Sequence, residues 1–302
     1  MPEQFDLADH DDAIDLAVDL LARATHAVVL AGAGMSKESG IRTFRGEGGL
    51  WTEHGEPPLN QFDTFASDPG RWWERRLEEG RNDGFARSLD EAQPNPGHVA
   101  LAELEQLGIV SHVITQNIDD LHRLAGQTSI TEIHGNRHWL RCMDCETRWS
   151  RSEFRINEDL LPPTCSECGG VVKSDTVMFG EPIPPSALQR CFEETAQADC
   201  FLTIGTSAVV YPAAQFPVDA LRRGVPLIEI NPEPTPLTEL ATVVIPGPSG
   251  AVLPSIVERL SHRLPDARAD GPGTDTPQSQ TANGQTSNGQ TSNDHTGDGT
   301  NN

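Results

Sequence analysis

The chain has 302 residues, a formal net charge of −23 and a mean hydropathy of −0.42. No run of about 18 apolar residues occurs, which excludes a membrane-spanning helix. The acidic start lacks the apolar core of a signal peptide, so we expect a cytoplasmic protein. Such acidity argues against nucleic-acid binding, since phosphate affinity depends on clustered lysine and arginine. It indicates adaptation to a salt-rich cytoplasm, with an acidic surface for basic protein tails as the alternative.

The first predicted elements are a helix, a strand and a helical insertion. Residues 1–10 are expected to be frayed, and residues 11–24 form a helix with one apolar face. That face consists of Ile14, Ala17, Val18 and Leu21. A buried strand is predicted at 26–31. Residues 47–97, rich in tryptophan, glycine, proline and charge, predict a helical insertion over the site.

Strands and helices then alternate, which is typical of a parallel sheet with helices on both faces. The predicted strands are 110–115, 131–133, 200–204, 226–230 and 242–245, and the predicted helices are 95–107, 119–124, 186–197, 212–223 and 251–263. Residues 265–302 form a polar, acidic tail that has too little apolar surface to offset the entropy of ordering, so we expect disorder there.

A glycine motif follows the first predicted strand. Glycine lets the backbone turn and approach an anion, so Gly32-Ala33-Gly34 after a buried strand predicts a phosphate cradle. The signal is weak alone, because the dinucleotide fingerprint would have glycine or alanine where this chain has Lys37. The residues beyond the turn are too polar for a plain strand–helix joint. They are Ser36, Glu38, Ser39, Gly40, Thr43, Phe44 and Arg45.

Polar motifs also follow three later strands, at the edge where open parallel sheets bind ligands. The motifs are Gln116-Asn117-Ile118-Asp119, Gly205-Thr206-Ser207 and Asn231-Pro232-Glu233. Their placement predicts a nucleotide site.

Four of the six cysteines form two Cys-x-x-Cys pairs separated by nineteen residues. Cys142, Cys145, Cys165 and Cys168 match the four-thiolate spacing of zinc sites. Without an export signal, metal binding is favoured over disulfides. Four thiolates leave no position for water, so the zinc is predicted to be structural, in a module inserted at about 138–176.

His134 follows a short strand. A lone histidine at a strand end is more often a packed or surface residue than a catalytic one, so its context decides. The ordered motifs resemble the signature of the sirtuins, the NAD-dependent protein deacylases. The matching parts are the glycine loop, Gln116 to Asp119, His134-Gly135, the cysteine pairs, Phe179-Gly180-Glu181, Gly205 to Ser207 and Asn231 to Glu233. The resemblance covers about residues 12–262.

The resemblance implies an α/β fold: a Rossmann-like parallel sheet domain with an inserted zinc-ribbon plus helical small domain, at 11–264. It implies NAD and zinc as cofactors and acylated lysine proteins or peptides as partners. It also implies a reaction in which the acyl oxygen attacks the nicotinamide ribose and nicotinamide leaves. Neutral His134 then accepts a proton from a ribose hydroxyl as general base, and that hydroxyl attacks the imidate carbon. Water completes the release of lysine and O-acyl-ADP-ribose.

By the same resemblance, Asn117 positions the ribose and a water, and Asp119 holds the nicotinamide amide, although such residues also cap helices. Phe44 screens the reaction and Arg45 contacts phosphate. The other implied NAD contacts are Gly32, Ala33, Gly34, Ser36, Thr43, Gln116, Ile118, Gly205, Thr206, Ser207, Asn231, Pro232, Glu233 and Ser249.

The substrate side is also implied by the resemblance. The segment from Val177 to Glu181, which includes Gly180, would pair strand to strand with the peptide. Val177, Phe179 and Ile118 would line the acyl-lysine tunnel.

Thr43 stands where many sirtuin deacetylases carry aspartate, and it resembles the branch that includes desuccinylases. That branch holds an acidic acyl group with Tyr-x-x-Arg, for which Trp73 and Arg76 are the candidates here. In the alternative, Trp73 packs the helical insertion and Arg76 is solvated.

We therefore expect an NAD-dependent protein-lysine deacylase with acetyl-lysine as the leading substrate. Succinyl- or malonyl-lysine is the first alternative. A mono-ADP-ribosyltransferase and an NAD-sensing binding module are others. An NAD dehydrogenase is disfavoured, since no hydride-transfer motif occurs. The sequence does not define the oligomeric state.

Overall fold

The structure is a computed structural model that describes residues 5–46, 48–79 and 84–263. Residues 1–4 of the expected frayed segment and the predicted tail at 265–302 lie outside the described residues. Residues 5–10 differ from the expectation of fraying. Leu7–His10 is a 3-10 helix whose first turn is capped by the Asp6 side chain, and Phe5 packs against the core.

The strands are β1 Ala27–Ala31, β2 Val110–Thr115, β3 Ile130–Glu132, β4 Trp139–Cys142, β5 Arg148–Ser150, β6 Val172–Ser174, β7 Cys200–Ile204, β8 Leu227–Ile230 and β9 Val243–Ile245. Within the described residues, six of them form a parallel sheet in the order β3-β2-β1-β7-β8-β9. β1 lies in the middle of the sheet, β2 and β3 are added on one side of it, and β7, β8 and β9 are added on the other side. This order is the Rossmann topology. The predicted fold class is confirmed.

The helices are α1 Asp11–Arg23, α2 Leu50–His54, α3 Gln61–Ser67, α4 Pro69–Glu79, α5 Gly84–Glu91, α6 Pro96–Gln106, α7 Leu121–Leu124, α8 Pro185–Gln197, α9 Gln215–Arg222 and α10 Ser249–Arg263. No helix of the described residues is long and apolar enough to cross a membrane. The region predicted as a helical insertion contains α2 to α5.

The core has a layer on each face of the sheet. Successive strand residues point to opposite faces, so Val29 packs with α1, α6 and α10 while Val28 packs with α8 and α9. All five residues of β1 are buried, as expected for a central parallel strand. The buried residues of α1 are the four that were predicted from its apolar face.

The small module is an antiparallel sheet in the order β5-β4-β6. Its compact core combines Leu140 and Val172 with Trp73 from α4. The Trp73 indole is 1% exposed, and its Nε1–H donates to the Val172 carbonyl at 2.9 Å. The module is thus packed against the helical insertion.

Candidate active site

A cleft of about 550 Å³ opens at the carboxyl ends of β1 and β7, where the order of the strands reverses. In open parallel sheets this is the point at which ligands bind. All of the predicted NAD contacts line it, and so do His134 and the predicted peptide-side residues Ile118, Val177, Phe179, Gly180 and Glu181.

The glycine loop packs directly on the loop after β7. The Gly34 amide donates to the Gly205 carbonyl at 2.7 Å, and the Gly32 amide donates to the Ile204 carbonyl at 3.0 Å. A Cβ on Gly32 would lie 2.7 Å from the Cβ of Thr206, and one on Gly34 would lie 2.7 Å from the Cα of Gly205. These glycines are therefore required for the close approach of two loops, besides leaving room for a ligand.

Ser36 is the centre of a buried hydrogen-bond network on the cleft floor. Its hydroxyl donates to Asp119 Oδ2 at 2.6 Å and accepts from Asn117 Nδ2 at 3.1 Å. Burial raises the pKa of Asp119, while the Ser36 hydrogen bond acts in the opposite direction. Asp119 Oδ1 also accepts the Leu121 amide at 3.0 Å. The Asp119 side chain thus accepts the first amide of α7 and lines the cleft at the same time.

His134 lies just beyond β3, and its Nδ1 is 3.2 Å from the Gln116 carbonyl oxygen. Because a carbonyl only accepts hydrogen bonds, Nδ1 carries the proton and Nε2 keeps its lone pair. Burial lowers the pKa of His134, and the bond to Gln116 partly opposes this. The imidazole is therefore neutral at pH 7 and suited to act as a general base.

An aromatic cluster covers one side of the cleft. The ring centroids of Phe44 and Trp51 are 4.7 Å apart, and those of Trp51 and Phe179 are 5.4 Å apart. The Arg45 guanidinium lies 4.5 Å from the Trp51 ring and pairs with Glu56 at 2.8 Å. The Thr43 hydroxyl donates to the Arg45 carbonyl at 2.9 Å and so holds this loop.

The segment after β6 forms a rim that is hydrogen-bonded on both sides. The Val177 amide donates to the His134 carbonyl at 2.9 Å, and the Phe179 carbonyl accepts the Phe62 amide at 3.0 Å. Gly180 adopts φ 83°, and a Cβ there would lie 2.6 Å from the Leu59 carbonyl oxygen. The rim therefore joins the histidine loop to the helical insertion.

The far end of the cleft holds an orphaned polar atom. Ser249 is 4% exposed, and its hydroxyl has no hydrogen-bond partner among the described residues. Buried polar groups are normally paired, so a polar ligand in the cleft fits this hydroxyl. Next to it, the Gly250 amide at the start of α10 donates to the Glu38 carboxylate at 2.7 Å.

The four predicted zinc ligands converge in the small module. The sulfurs of Cys142, Cys145, Cys165 and Cys168 all lie within 4.8 Å of one another. The amides of Asp144 and Glu167 each approach a sulfur at 3.4 Å, as expected for tight turns around thiolates. Four sulfurs at this spacing fit a closed, structural zinc site.

The structure does not bring Trp73 and Arg76 to the cleft. Neither residue is in the cleft lining, and Trp73 is in the core of the small module. Arg76 lies near Arg151, whose pKa is lowered by burial and by the charges of Arg76 and Arg137. The packing alternative therefore holds for Trp73, and the two residues do not form a pair for an acidic acyl group in this cleft.

Sequence reasoning missed several residues that line the cleft. Trp51 is central to the aromatic cluster, and Ile183 and Tyr211 also line the cleft. The abundance of aromatic residues after the glycine loop was a signal for Trp51. A helix as short as Leu50–His54 has too few turns for periodicity to indicate which side chain faces inward.

These features define a Rossmann-type nucleotide-binding protein with a thiolate zinc module. Residues 32–212 match the model of the Sir2 family. The chain belongs to the Sir2 family, which confirms the resemblance to sirtuins.

Similar proteins carry consistent names. The chain is 43% identical over 249 residues to NAD-dependent protein deacylase 2 of Pyrobaculum aerophilum, covering 82% of this chain and 95% of that protein. It is 43% identical over 248 residues to an NAD-dependent protein deacylase of Thermococcus kodakarensis, covering 81% and 94%.

Solved structures agree with the fold and the cofactor. A Sir2 homologue in complex with NAD is 38% identical, with a TM-score of 0.68, covering 82% of this chain and 94% of that chain. A complex of Sir2 with a p53 peptide and NAD+ is 31% identical, with a TM-score of 0.66, covering 82% and 99%. NAD and zinc are the cofactors that this chain is built to hold.

Proposed function

We propose that this chain is an NAD-dependent protein-lysine deacylase that acts mainly on acetyl-lysine. The observation that carries the proposal is the position of His134, a neutral base in the lining of a nucleotide cleft. The relatives named as NAD-dependent protein deacylases support it.

Bound NAD would supply an electrophilic ribose carbon with nicotinamide as its leaving group. The Nε2 lone pair of His134 accepts the proton of a ribose hydroxyl, since Nδ1 is already protonated. Asn117 orients the ribose, and its amide is held by Gly32 and Ser36. The Asp119 carboxylate holds the nicotinamide amide, and the aromatic cluster excludes water from the reacting atoms.

The preference for acetyl-lysine rests on the charges in the cleft. Ile118, Val177 and Phe179 offer apolar surface on the peptide side, and Arg76 is not in the lining. Of the cleft's arginines, Arg42 pairs with Glu53 and Arg45 with Glu56. A carboxylate on the acyl chain would therefore find no free guanidinium among these residues. The lysine of the lining, Lys37, lies in the 3-10 helix Ala33–Ser39 that follows Gly32.

His134 also sets an expected pH dependence. Only the neutral imidazole accepts a proton, and the pKa of His134 lies below its ordinary value of 6.5. The acid limb of kcat should therefore fall below pH 6.5. Substitution of His134 by alanine should lower kcat by about 100-fold or more.

The test uses matched acetyl-, succinyl- and malonyl-lysine peptides with NAD at high salt, and it follows nicotinamide and peptide mass. Turnover of the acetyl peptide that is lost in His134→Ala supports the proposal. Preference for the acidic acyl groups would overturn the acetyl assignment. Nicotinamide release with ADP-ribose attached to protein would instead identify a transferase.

We further propose a salt-rich cytoplasm as the setting, from the net charge of −23. The proposed reaction moves the acyl group from lysine to ADP-ribose, so the enzyme would be a transferase. The acidic surface would attract the basic tails that carry acyl-lysine.

A further inference from the structure

Four buried charged residues lie between the zinc-bearing sheet and the rim of the cleft. Arg141, Lys173, Asp175 and Glu181 are between 0% and 8% exposed. We call these four residues the ionic clasp. Burying a charge costs free energy unless the charge is paired in good geometry. The hydrogen bonds of the clasp therefore show which segments it connects.

Arg141 bridges the two carboxylates of the clasp. Its Nε donates to Asp175 Oδ1 at 3.1 Å, and its Nη2 donates to Glu181 Oε1 at 2.8 Å. Arg141 precedes Cys142 in β4. One guanidinium therefore connects the strand of a zinc ligand to both acidic members of the clasp.

Lys173 satisfies all of its donors within the same region. Its ammonium donates to the carbonyls of Ser174 and Thr176 at 2.6 and 2.8 Å, and it lies 3.1 Å from Glu181 Oε2. An ammonium has three donors, so none is left over. Lys173 thus ties the beginning of the rim segment to its end at Glu181.

The two carboxylates of the clasp also accept hydrogen bonds from backbone amides at the edge of the cleft. Glu181 Oε2 also accepts the Met178 amide at 2.8 Å, which closes the turn of the rim. Asp175 Oδ2 accepts the Asn136 amide at 2.9 Å, two residues after His134. Together with the bond from the Val177 amide to the His134 carbonyl, these contacts fix the rim relative to the histidine.

We propose, on the basis of the proposed deacylase function, that Lys173 and Arg141 are positioning residues for the acyl-lysine peptide. Neither residue is in the lining of the cleft. They hold the rim from Val177 to Glu181 in the conformation that pairs with the peptide, and they make peptide affinity depend on the zinc-bearing strand. NAD affinity does not depend on them, because the glycine loop is held by other contacts.

The main variants are Lys173→Met, which removes the ammonium, and Arg141→Lys, which keeps a charge but loses the bridge. The double variant Lys173→Met with Glu181→Gln neutralises the carboxylate left behind and so protects folding. Glu194→Gln is the matched control. Glu194 is 4% exposed and ion-paired, with Arg190 at 2.6 Å, but it is not in the cleft lining.

The measurements are peptide KM and kcat, the calorimetric Kd of an acetyl-lysine peptide with ADP-ribose present, NAD Kd, thermal stability and hydrogen exchange. We expect Lys173→Met to raise peptide KM and Kd about tenfold while NAD Kd stays within about twofold. The Met178 amide should lose protection from exchange. Arg141→Lys should give a smaller shift in the same direction.

The double variant separates positioning from stability. Its thermal stability should recover relative to Lys173→Met, while its peptide Kd stays raised. Glu194→Gln should lose stability and keep the wild-type peptide Kd. Wild-type peptide Kd in the folded double variant and in Arg141→Lys would overturn the proposal. Absence of turnover in the wild-type protein would instead count against the deacylase function, and peptide Kd would still test the clasp.

Discussion

The sheet domain and the small zinc module are stabilised in different ways. The sheet domain buries a large apolar core on both faces of the sheet. In the described residues the core of the small module is made of Leu140, Val172 and two of the zinc-ligand cysteines, packed against Trp73 of α4. The remaining two cysteines and the ionic clasp supplement this small core. Small cores rarely suffice alone and are often supplemented by a metal. We therefore expect the two regions to respond to different perturbations.

Removal of zinc should have the largest effect, and it should act on the small module first. Structural zinc contributes about 10–16 kcal/mol in small zinc-finger peptides, so Cys165→Ser or chelation should unfold the module and abolish deacylation. Zinc content, circular dichroism and nicotinamide release check this. Cys191→Ser, which changes a buried cysteine outside the cluster, should keep its zinc. Full activity in metal-free protein would contradict the structural role.

A methyl group in the glycine loop should act on the sheet domain alone. Overpacking costs about 1–3 kcal/mol, so Gly32→Ala should raise the Kd of NAD by about tenfold or more. Zinc content should not change. Gly70→Ala is the control, since its added Cβ would have its nearest neighbour, the Leu161 carbonyl oxygen, at 3.4 Å and Gly70 is not in the cleft lining. Equal NAD affinity for Gly32→Ala and the wild type would show that the loops separate easily.

Acid should also destabilise the sheet domain. Burial lowers the pKa of His98 to about 4 and that of His122 to about 3. Because the unfolded chain binds these protons near pH 6.5, the free energy of unfolding should fall as pH drops from 6.5 toward 4. Each unit of pKa difference corresponds to about 1.4 kcal/mol.

His122→Phe provides the test, because neither ring nitrogen of His122 has a partner among the described residues. Urea unfolding between pH 7.5 and 4.5 should show a shallower loss of stability in this variant. The exposed His54 is the control, and His54→Gln should leave the slope as in the wild type. An unchanged slope in His122→Phe would assign the acid sensitivity to other groups.

The smallest expected effect concerns the charge of Lys37, which lines the cleft in an otherwise acidic chain. We expect Lys37→Gln to raise the Kd of NAD about two- to fivefold at low salt, and the difference to vanish at 1 M salt as charges are screened. Calorimetry with NAD checks this. Arg222→Gln, on the exposed surface of α9, should change nothing. An effect that persists at high salt would indicate packing instead of charge.

The fold was largely predictable because its signals are local. Continuous apolar runs predicted the strands of the sheet, and polar motifs at the strand ends predicted the position of the cleft. The zinc ligands could be predicted because two sulfurs of one tight turn can bind the same ion only at a short, fixed spacing. The sequence left two roles open for Trp73, in packing and in acyl recognition, because the register within a helical insertion depends on what the helix packs against. Here that partner is Val172, far along the chain.

The ionic clasp was not predictable for a related reason. Arg141 and Glu181 are forty residues apart, and no local pattern shows that their side chains meet. A charged residue in a short strand is usually solvated. Likewise, sequence periodicity does not reveal that Phe5 packs against the core just before the 3-10 helix Leu7–His10.

The complete burial of Lys173 has a chemical consequence. The sequence contains two lysines, and Lys173 is 0% exposed, so Lys37 presents the one lysine amine accessible to reagents in solution. In assays that detect lysine acylation, acylation of the enzyme itself would thus contribute very little signal. Amine-reactive probes would label a single lysine side chain, that of Lys37, which lines the nucleotide cleft.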